Sequence, residues 1–253
     1  MITNILGVRV SQTSYASATA QIRIWAQHGE SHAVIATGVH GVMEAYDSPD
    51  FKRILNRADM ITPDGMPLVW MLRLKGVKIQ TRVYGPTLML HVVEMAAREK
   101  IPVGFYGAKD QTLEKLIMRL SELYPGLKIT YAFSPPFRPL DKQESAKITE
   151  DITASGAHIL FVGLGCPKQE KWMAEQQGKI PAVMLGVGAA FDFHAGTKSQ
   201  APTWMQAIGL EWFFRFIHEP RRLARRYLNN NPRFILLALA DLLGILEKGK
   251  KEV

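Results

Sequence analysis

FVGLGCPKQEKW, residues 161–172, holds the end of an apolar strand, a Gly-X-Gly-X-Pro turn and the opening of a helix. The strand reads from 157 to 162 and the helix from 168 to 177. A strand that is apolar without alternation is covered on both faces, and one that passes straight into a helix is the unit of parallel sheets. The pattern recurs along the chain. Strands are expected at 31–37, 59–63, 103–106, 128–133 and 182–187, and 5–10 is a short apolar run. Helical spacing predicts helices over 14–29, 42–56 (interrupted at Ser48-Pro49), 67–74, 87–100, 110–124 and 141–155. Residues 134–139 (SPPFRP) are expected to be irregular, because their prolines lack ladder donors.

The expected fold is therefore α/β: a mainly parallel sheet with helices on both faces, Rossmann-like, with a C-terminal helical appendage. The division expected is 1–200 as an α/β catalytic domain and 201–253 as a helical, membrane-associating appendage. In the latter, residues 229–232 read as a break and 234–246 as an apolar run too short to span a bilayer. The chain has 253 residues, 47% of them hydrophobic and 21% charged, as in ordinary folded proteins. Its single cysteine, Cys166, excludes an internal disulfide framework and fits a reducing cytosol. The first residues lack a basic segment followed by a long apolar one, so no secretory signal is expected. The net charge is +8, and residues 215–233, with six arginines and one glutamate, contribute +5 of it. Such a cluster suits an anionic lipid, a diphosphate or nucleic acid, or is simply a solvated helix face.

Ligands of parallel sheets bind at the carboxyl ends of the strands. Thr37, Asp64, Gly107, residues 163–169 and residues 188–192 all fall there. Asp64, in the Pro-Asp-Gly turn of ITPDGMPLVW (61–70), is the first choice for a base, although Pro-Asp-Gly is also a common turn. Gly163, Gly165, Lys168, Gln169 and Glu170 offer backbone N–H groups, a helix N-terminus, a cation and an amide to a phosphate, or form a plain strand-to-helix connection. Arg82 either meets donor phosphates or lies on the surface. His40 is a site residue or a structural histidine. Asp192 and Glu170 bind ligand or cap helices. Cys166 has no identifiable partner histidine and is not taken as a nucleophile. His and Cys lack zinc spacing, and no Asp-X-Asp metal clamp is present, so a metal-independent reaction without a cofactor is expected.

The appendage has two readings. Its aromatics pack and its arginines are solvated, or Trp212, Phe213, Phe214 and Phe216 sit at a membrane interface while Arg221, Arg222, Arg225 and Arg226 meet anionic headgroups. Three functions follow: a group-transfer enzyme acting on a phosphorylated donor, a non-catalytic membrane-attached nucleotide-binding subunit, or a basic nucleic-acid binder. The chain lacks an aromatic–basic sheet motif, and no nucleic-acid partner is expected.

With these residues in hand, the chain resembles the WecG/TagA/CpsF family of bacterial glycosyltransferases. The matching stretches are TPDGMP (62–67), RVYG (82–85), FYG (105–107), VGLGCPKQE (162–170), GVGAAFDFHAG (186–196), AP-X-W (201–204), and LEWFFRF with EPRR (210–222). The resemblance implies inverting transfer from a UDP-sugar donor to a lipid-diphosphate-linked sugar acceptor, at the cytoplasmic face of the cell membrane, in surface-polymer synthesis. It implies no metal and a peripheral membrane location. It implies Asp64 as the base, Thr37, Arg82 and Gln169 as further site residues, and Arg215, Arg222 and Arg225 as appendage arginines at the acceptor diphosphate or the membrane. The family often has Thr-X-Asn where Thr37 is followed by Gly38-Val39-His40, Asp where Thr87 stands, and Arg where Gln200 stands. The donor sugar is thus left open among glucose, N-acetylmannosamine and its uronic acid, and homo-oligomerisation is left open too.

Overall fold

The computed structural model describes residues 1–245, with the side chain of Arg222 outside the description. The short apolar run at the start falls across two strands, β1 (Ile2–Ile5) and β2 (Val8–Ser11), which pair antiparallel. Leu6 at φ +51° and Gly7 at φ +89° join them in a tight hairpin, whose two central residues both need the left-handed region. Leucine is not a turn-former, so the pair does not stand out in the sequence.

The chain then alternates. It runs α1 (Tyr15–His28), β3 (His32–Thr37), α2 (Val39–Asp47), α3 (Pro49–Asn56), β4 (Met60–Pro63), α4 (Met66–Leu74), α5 (Gly85–Glu99) and β5 (Val103–Gly107). It continues through α6 (Asp110–Leu123), β6 (Ile129–Phe133), α7 (Lys142–Ala154), β7 (Ile159–Gly163), α8 (Lys168–Gln176) and β8 (Val183–Gly186). Four helices close it: α9 (Ala190–His194), α10 (Thr203–Ala207), α11 (Glu211–His218) and α12 (Pro220–Leu242). Local chemistry sets several of these boundaries. Ser48 caps α3 through Phe51 N–H and Pro49 opens it, which explains the interruption at Ser48-Pro49. Asp141 and Glu144 form a reciprocal capping box at α7.

Six strands form one parallel sheet in the order β4-β3-β8-β7-β5-β6, as the continuous apolar runs require. Alternate residues of a strand enter opposite core layers. Ala33 and Ile35 pack with α2, α3, α4, α7 and α8, whereas Val34 packs with α1, α5 and α6. Leu160 and Val162 divide from Ile159 and Phe161 in the same way. The register places Thr37 beside Pro63, Gly107 beside Gly163 and Val162 beside Gly186, so the carboxyl ends meet along one edge.

One expectation fails. Residues 229–232 do not break the chain: α12 runs through them with Pro232 inside it. Proline removes the hydrogen bond to the Leu228 carbonyl, and Leu228 is an exposed residue whose carbonyl has water at hand. Beyond the proline Phe234 and Ala238 enter the core, Arg233 grips Asp47 with both terminal nitrogens (2.6 and 2.9 Å), and Lys75 pairs with Asp241 at 3.0 Å. Tertiary anchoring outweighs the local signal. Among the described residues no helix is long and apolar enough to cross a membrane.

Candidate active site

Asp64 follows β4 directly, and its N–H donates to the Thr37 carbonyl at 2.9 Å, tying the ends of β3 and β4 together. Its Oδ2 accepts from Gly85 N–H, the first residue of α5, at 2.9 Å. A Cβ at position 85 would lie 3.0 Å from Ala36 Cβ and 3.2 Å from Asp64 Oδ2, so glycine is what lets the helix start this close. Arg82 Nε donates to the Asp64 carbonyl, and Arg82 Nη2 stands 3.6 Å from Asp64 Oδ1. The same Nη2 donates to Glu211 Oε2 at 2.5 Å, while Tyr84 Oη donates to Glu211 Oε1 at 2.7 Å. The Arg82 guanidinium lies over the Tyr84 ring at 3.9 Å, and Tyr84 N–H reaches Tyr15 Oη at 3.0 Å.

Burial pushes the Asp64 carboxyl above the usual carboxylate range. Glu211 adds to that shift, and Arg82, Gly85 N–H and Arg215 oppose it. A carboxylate that is desolvated yet kept ionisable by a neighbouring guanidinium is a competent proton acceptor near neutral pH. Arg215, one turn along α11 from Glu211, lies 6.0 Å over the Phe193 ring. A cavity of about 190 Å³ opens here between α9 and α11, lined by Phe193, Lys198, Phe214, Arg215 and His218. Asp192 faces this region already engaged: it accepts from Thr197 Oγ1 at 3.3 Å and pairs with Lys198 at 3.2 Å. Another surface concavity, about 770 Å³, lies between α7 and the end of α8 and contains none of the candidate residues.

The glycine turn makes a second corner. A Cβ on Gly107 would fall 2.6 Å from the Gly163 carbonyl carbon, and one on Gly163 would fall 2.8 Å from the Phe191 ring. Both glycines thus allow close approach of β5, β7 and α9. Gly165, by contrast, has open space before it, and Lys168 is exposed at the start of α8. Gln169 is buried. Its Nε2 donates to Glu170 Oε1 at 2.9 Å, and its Oε1 accepts from Gly188 N–H at 3.1 Å. Glu170 is buried too; burial pushes its carboxyl up, and the Gln169 amide and the Cys166 thiol oppose that shift. Burial and that carboxylate push the thiol up in turn, which leaves it a poor nucleophile.

Between the corners lie Thr37 and His40. Thr37 is buried against Gly41, where a Cβ would come within 2.2 Å of its Oγ1. Asn230 Nδ2 of α12 donates to His40 Nδ1 at 3.3 Å, and Glu44 stands 3.7 Å from the same nitrogen. Burial, helped by the charge of Arg226, pushes His40 down to about 4, so the ring is neutral at pH 7. Of the appendage arginines, Arg215 reaches the Asp64 corner and Arg226 the His40 corner, whereas Arg225 is exposed. The Arg222 side chain lies outside the described residues.

Asp64, Thr37, Arg82 and Arg215 are thus brought together, as are Gly163, Gly165, Lys168, Gln169 and Glu170. The reading of the sequence missed Glu211, Tyr84 and Tyr15. Tyr84 and Glu211 sit inside the RVYG and LEWFFRF stretches, but nothing local marks them as partners. Among the described residues no group of His, Cys, Asp or Glu is placed to hold a metal ion.

An acid at a strand end, glycine turns beside it and a basic C-terminal segment packed nearby form the candidate site, and comparison with known proteins bears on its kind. A model of the glycosyl transferase WecG/TagA/CpsF family matches residues 3–247. The chain is 31% identical over 203 residues to the N-acetylglucosaminyldiphosphoundecaprenol N-acetyl-beta-D-mannosaminyltransferase of Bacillus subtilis (strain 168), covering 80% of this chain and 75% of that one. It is 30% identical over 197 residues to the protein of the same name from Bacillus spizizenii (strain ATCC 23059 / NRRL B-14472 / W23), covering 78% and 74%. The chain belongs to the WecG/TagA/CpsF family of glycosyl transferases.

Proposed function

We propose that the protein moves a sugar from a UDP-sugar to a sugar carried on a lipid diphosphate, with inversion, in cell-surface polymer synthesis. The donor lies across the strand ends from β7 to β4. Those strands are three spacings apart, about 14 Å, which is long enough for an extended nucleotide sugar. Backbone amides near Gly165 and Gly188, with Lys168 and Arg215, hold the diphosphate. Thr37, His40, Gln169 and Glu170 shape the floor between the corners. Asp64 takes the proton of the acceptor hydroxyl as its oxygen attacks the anomeric carbon. The bond to UDP breaks on the opposite face, and its electron pair leaves with the β-phosphate oxygen. Base catalysis of this kind contributes about 10²–10⁴-fold.

The observation that carries this reading is the Asp64 carboxyl, with 23% of its side chain still accessible, fixed at a strand end by Gly85 N–H and Arg82. N-acetylmannosamine is the sugar named for the relatives and is the first donor to try. We extend the proposal to the division of the chain: residues 1–200 catalyse, and the segment from 201 seats the protein on the inner face of the cell membrane. Trp204, Ile208, Trp212, Phe213 and Ile217 are exposed there beside the exposed Arg221 and Arg225.

A transfer assay tests it, with UDP-glucose, UDP-N-acetylmannosamine and its uronic acid as donors and a synthetic lipid-diphosphate N-acetylglucosamine as acceptor. One donor is expected to give UDP and a β-linked disaccharide in equal amounts. No transfer from any of the three, together with no thermal stabilisation by UDP, contradicts the proposal.

A further inference from the structure

Asp64 is held by a stretch that has little structure of its own. Residues 81–84 belong to no helix or strand, yet this stretch and the residue after it supply Arg82 Nε to the Asp64 carbonyl and Gly85 N–H to its Oδ2. The backbone of the stretch is tied to β4, with Val83 N–H donating to the Pro63 carbonyl at 3.0 Å and Thr62 Oγ1 to the Val83 carbonyl at 3.2 Å, and to Tyr15 through Tyr84 N–H; the side chains of Arg82 and Tyr84 are held by Glu211. One of its oxygens takes Arg82 Nη2 at 2.5 Å and the other takes Tyr84 Oη at 2.7 Å, across 129 and 127 residues of sequence. Glu211 is buried, so this is a desolvated contact rather than a surface pair. Both of its oxygens are thus committed to the two side chains that flank the segment holding Asp64.

We infer that Glu211 is a positioning residue for sugar transfer: by clamping Arg82 and Tyr84 it sets the place of Asp64, and it makes seating of α11 a condition of activity. The inference rests on the reading of Asp64 as the base. It also assigns Arg82 first to the base and only then to any phosphate, because its guanidinium is already balanced by two carboxylates. The charges facing Asp64 agree. Glu211 favours the proton on Asp64, Arg82 and Arg215 disfavour it, and Tyr15 and Tyr84 are neutral neighbours whose hydroxyls are pushed above their usual range. Without the Glu211 charge, Asp64 loses its proton at lower pH.

The test compares wild type, E211Q, D64N and the double variant in the full chain. It reads kcat, donor KM, the acid limb of kcat/KM and the melting temperature. A displaced base typically costs on the order of 10²-fold. The expectation is a 10–100-fold loss of kcat in E211Q with donor KM within about 3-fold, an acid limb moved to lower pH, and no further loss when E211Q is added to D64N. Wild-type kcat in E211Q, or a loss with an unmoved acid limb that adds in full to that of D64N, overturns the inference while leaving an inactive D64N to support the base. A fully active D64N sinks the base reading and this inference together. Should E211Q fail to fold, Y84F removes one of the two anchors and keeps the charge. It is expected to lower kcat roughly 3–10-fold in wild type and not at all in D64N, and unchanged kcat overturns the inference.

Discussion

Two carboxyls stand along the carboxyl edge of the sheet, Asp64 just after β4 and Glu170 in the first turn of α8; burial pushes both above the ordinary range, yet they are built differently. Asp64 keeps 23% of its side chain accessible and has the Arg82 guanidinium 3.6 Å away. Glu170 is 2% exposed and meets the Gln169 amide and the Cys166 thiol, with no cation among the forces that shift it. A carboxyl among neutral partners lowers its energy by keeping its proton, whereas one beside a guanidinium stays ionisable even when desolvated. Burial alone therefore does not identify a base. Access and a counter-charge distinguish the two, and on both counts the proposed base is Asp64, with Glu170 a sealed strut under Gln169.

The sharpest way to break this contrast is Asp64→Asn. Transfer is expected to fall about 10²–10⁴-fold while the melting temperature holds or rises. The sign follows from the raised pKa: the fold disfavours the ionised form, so wild-type stability declines as pH rises from the ordinary value of about 4 through the raised one. The Asn variant lacks this decline, and its melting temperature is flatter across that window. Equal losses of transfer and stability contradict the contrast.

Next in size is Gly107→Ala, in β5, four strands from β4 and Asp64. A Cβ 2.6 Å from the Gly163 carbonyl carbon, at φ +129°, is expected to cost about 3 kcal/mol, read as a lowered denaturation midpoint. Glu170→Ala strands the Gln169 amide and is expected to cost about 1–3 kcal/mol. At roughly 2–4 °C per kcal/mol, that is a readable drop in melting temperature. Glu170→Gln is the smallest. If the carboxyl is a protonated strut, the amide replaces it with transfer within about 3-fold and stability within about 0.5 kcal/mol. A loss of transfer in E170Q as large as that in Asp64→Asn would place Glu170 in the chemistry.

The layout of the sheet was legible because its strands are continuously apolar and end in Gly, Pro or Asp, and that pattern depends on burial by both core layers. That the candidate residues share one edge was legible for the same reason: Thr37, Asp64 and Gly163 had only to stand at carboxyl ends. Three things were not. The first hairpin was hidden because Leu6 occupies a left-handed position that sequence assigns to Gly or Asn. The continuity of α12 was hidden because Asn229–Pro232 reads locally as a stop, while Phe234, Ala238 and the Arg233–Asp47 pair hold it from outside. Glu211 was hidden because its partners lie more than a hundred residues away, where no spacing rule reaches. Arg226 rather than Arg225 facing His40 is likewise a matter of how α12 is rotated, which its docking on α2 decides.

The acid limb of kcat/KM for transfer, followed from about pH 4 to 8 in wild type and in Asp64→Asn, tests the central claim most directly. The account predicts a wild-type limb centred above the ordinary carboxylate value and a low rate without that limb in the Asn variant. An Asn variant that keeps the same limb at near wild-type rate contradicts it.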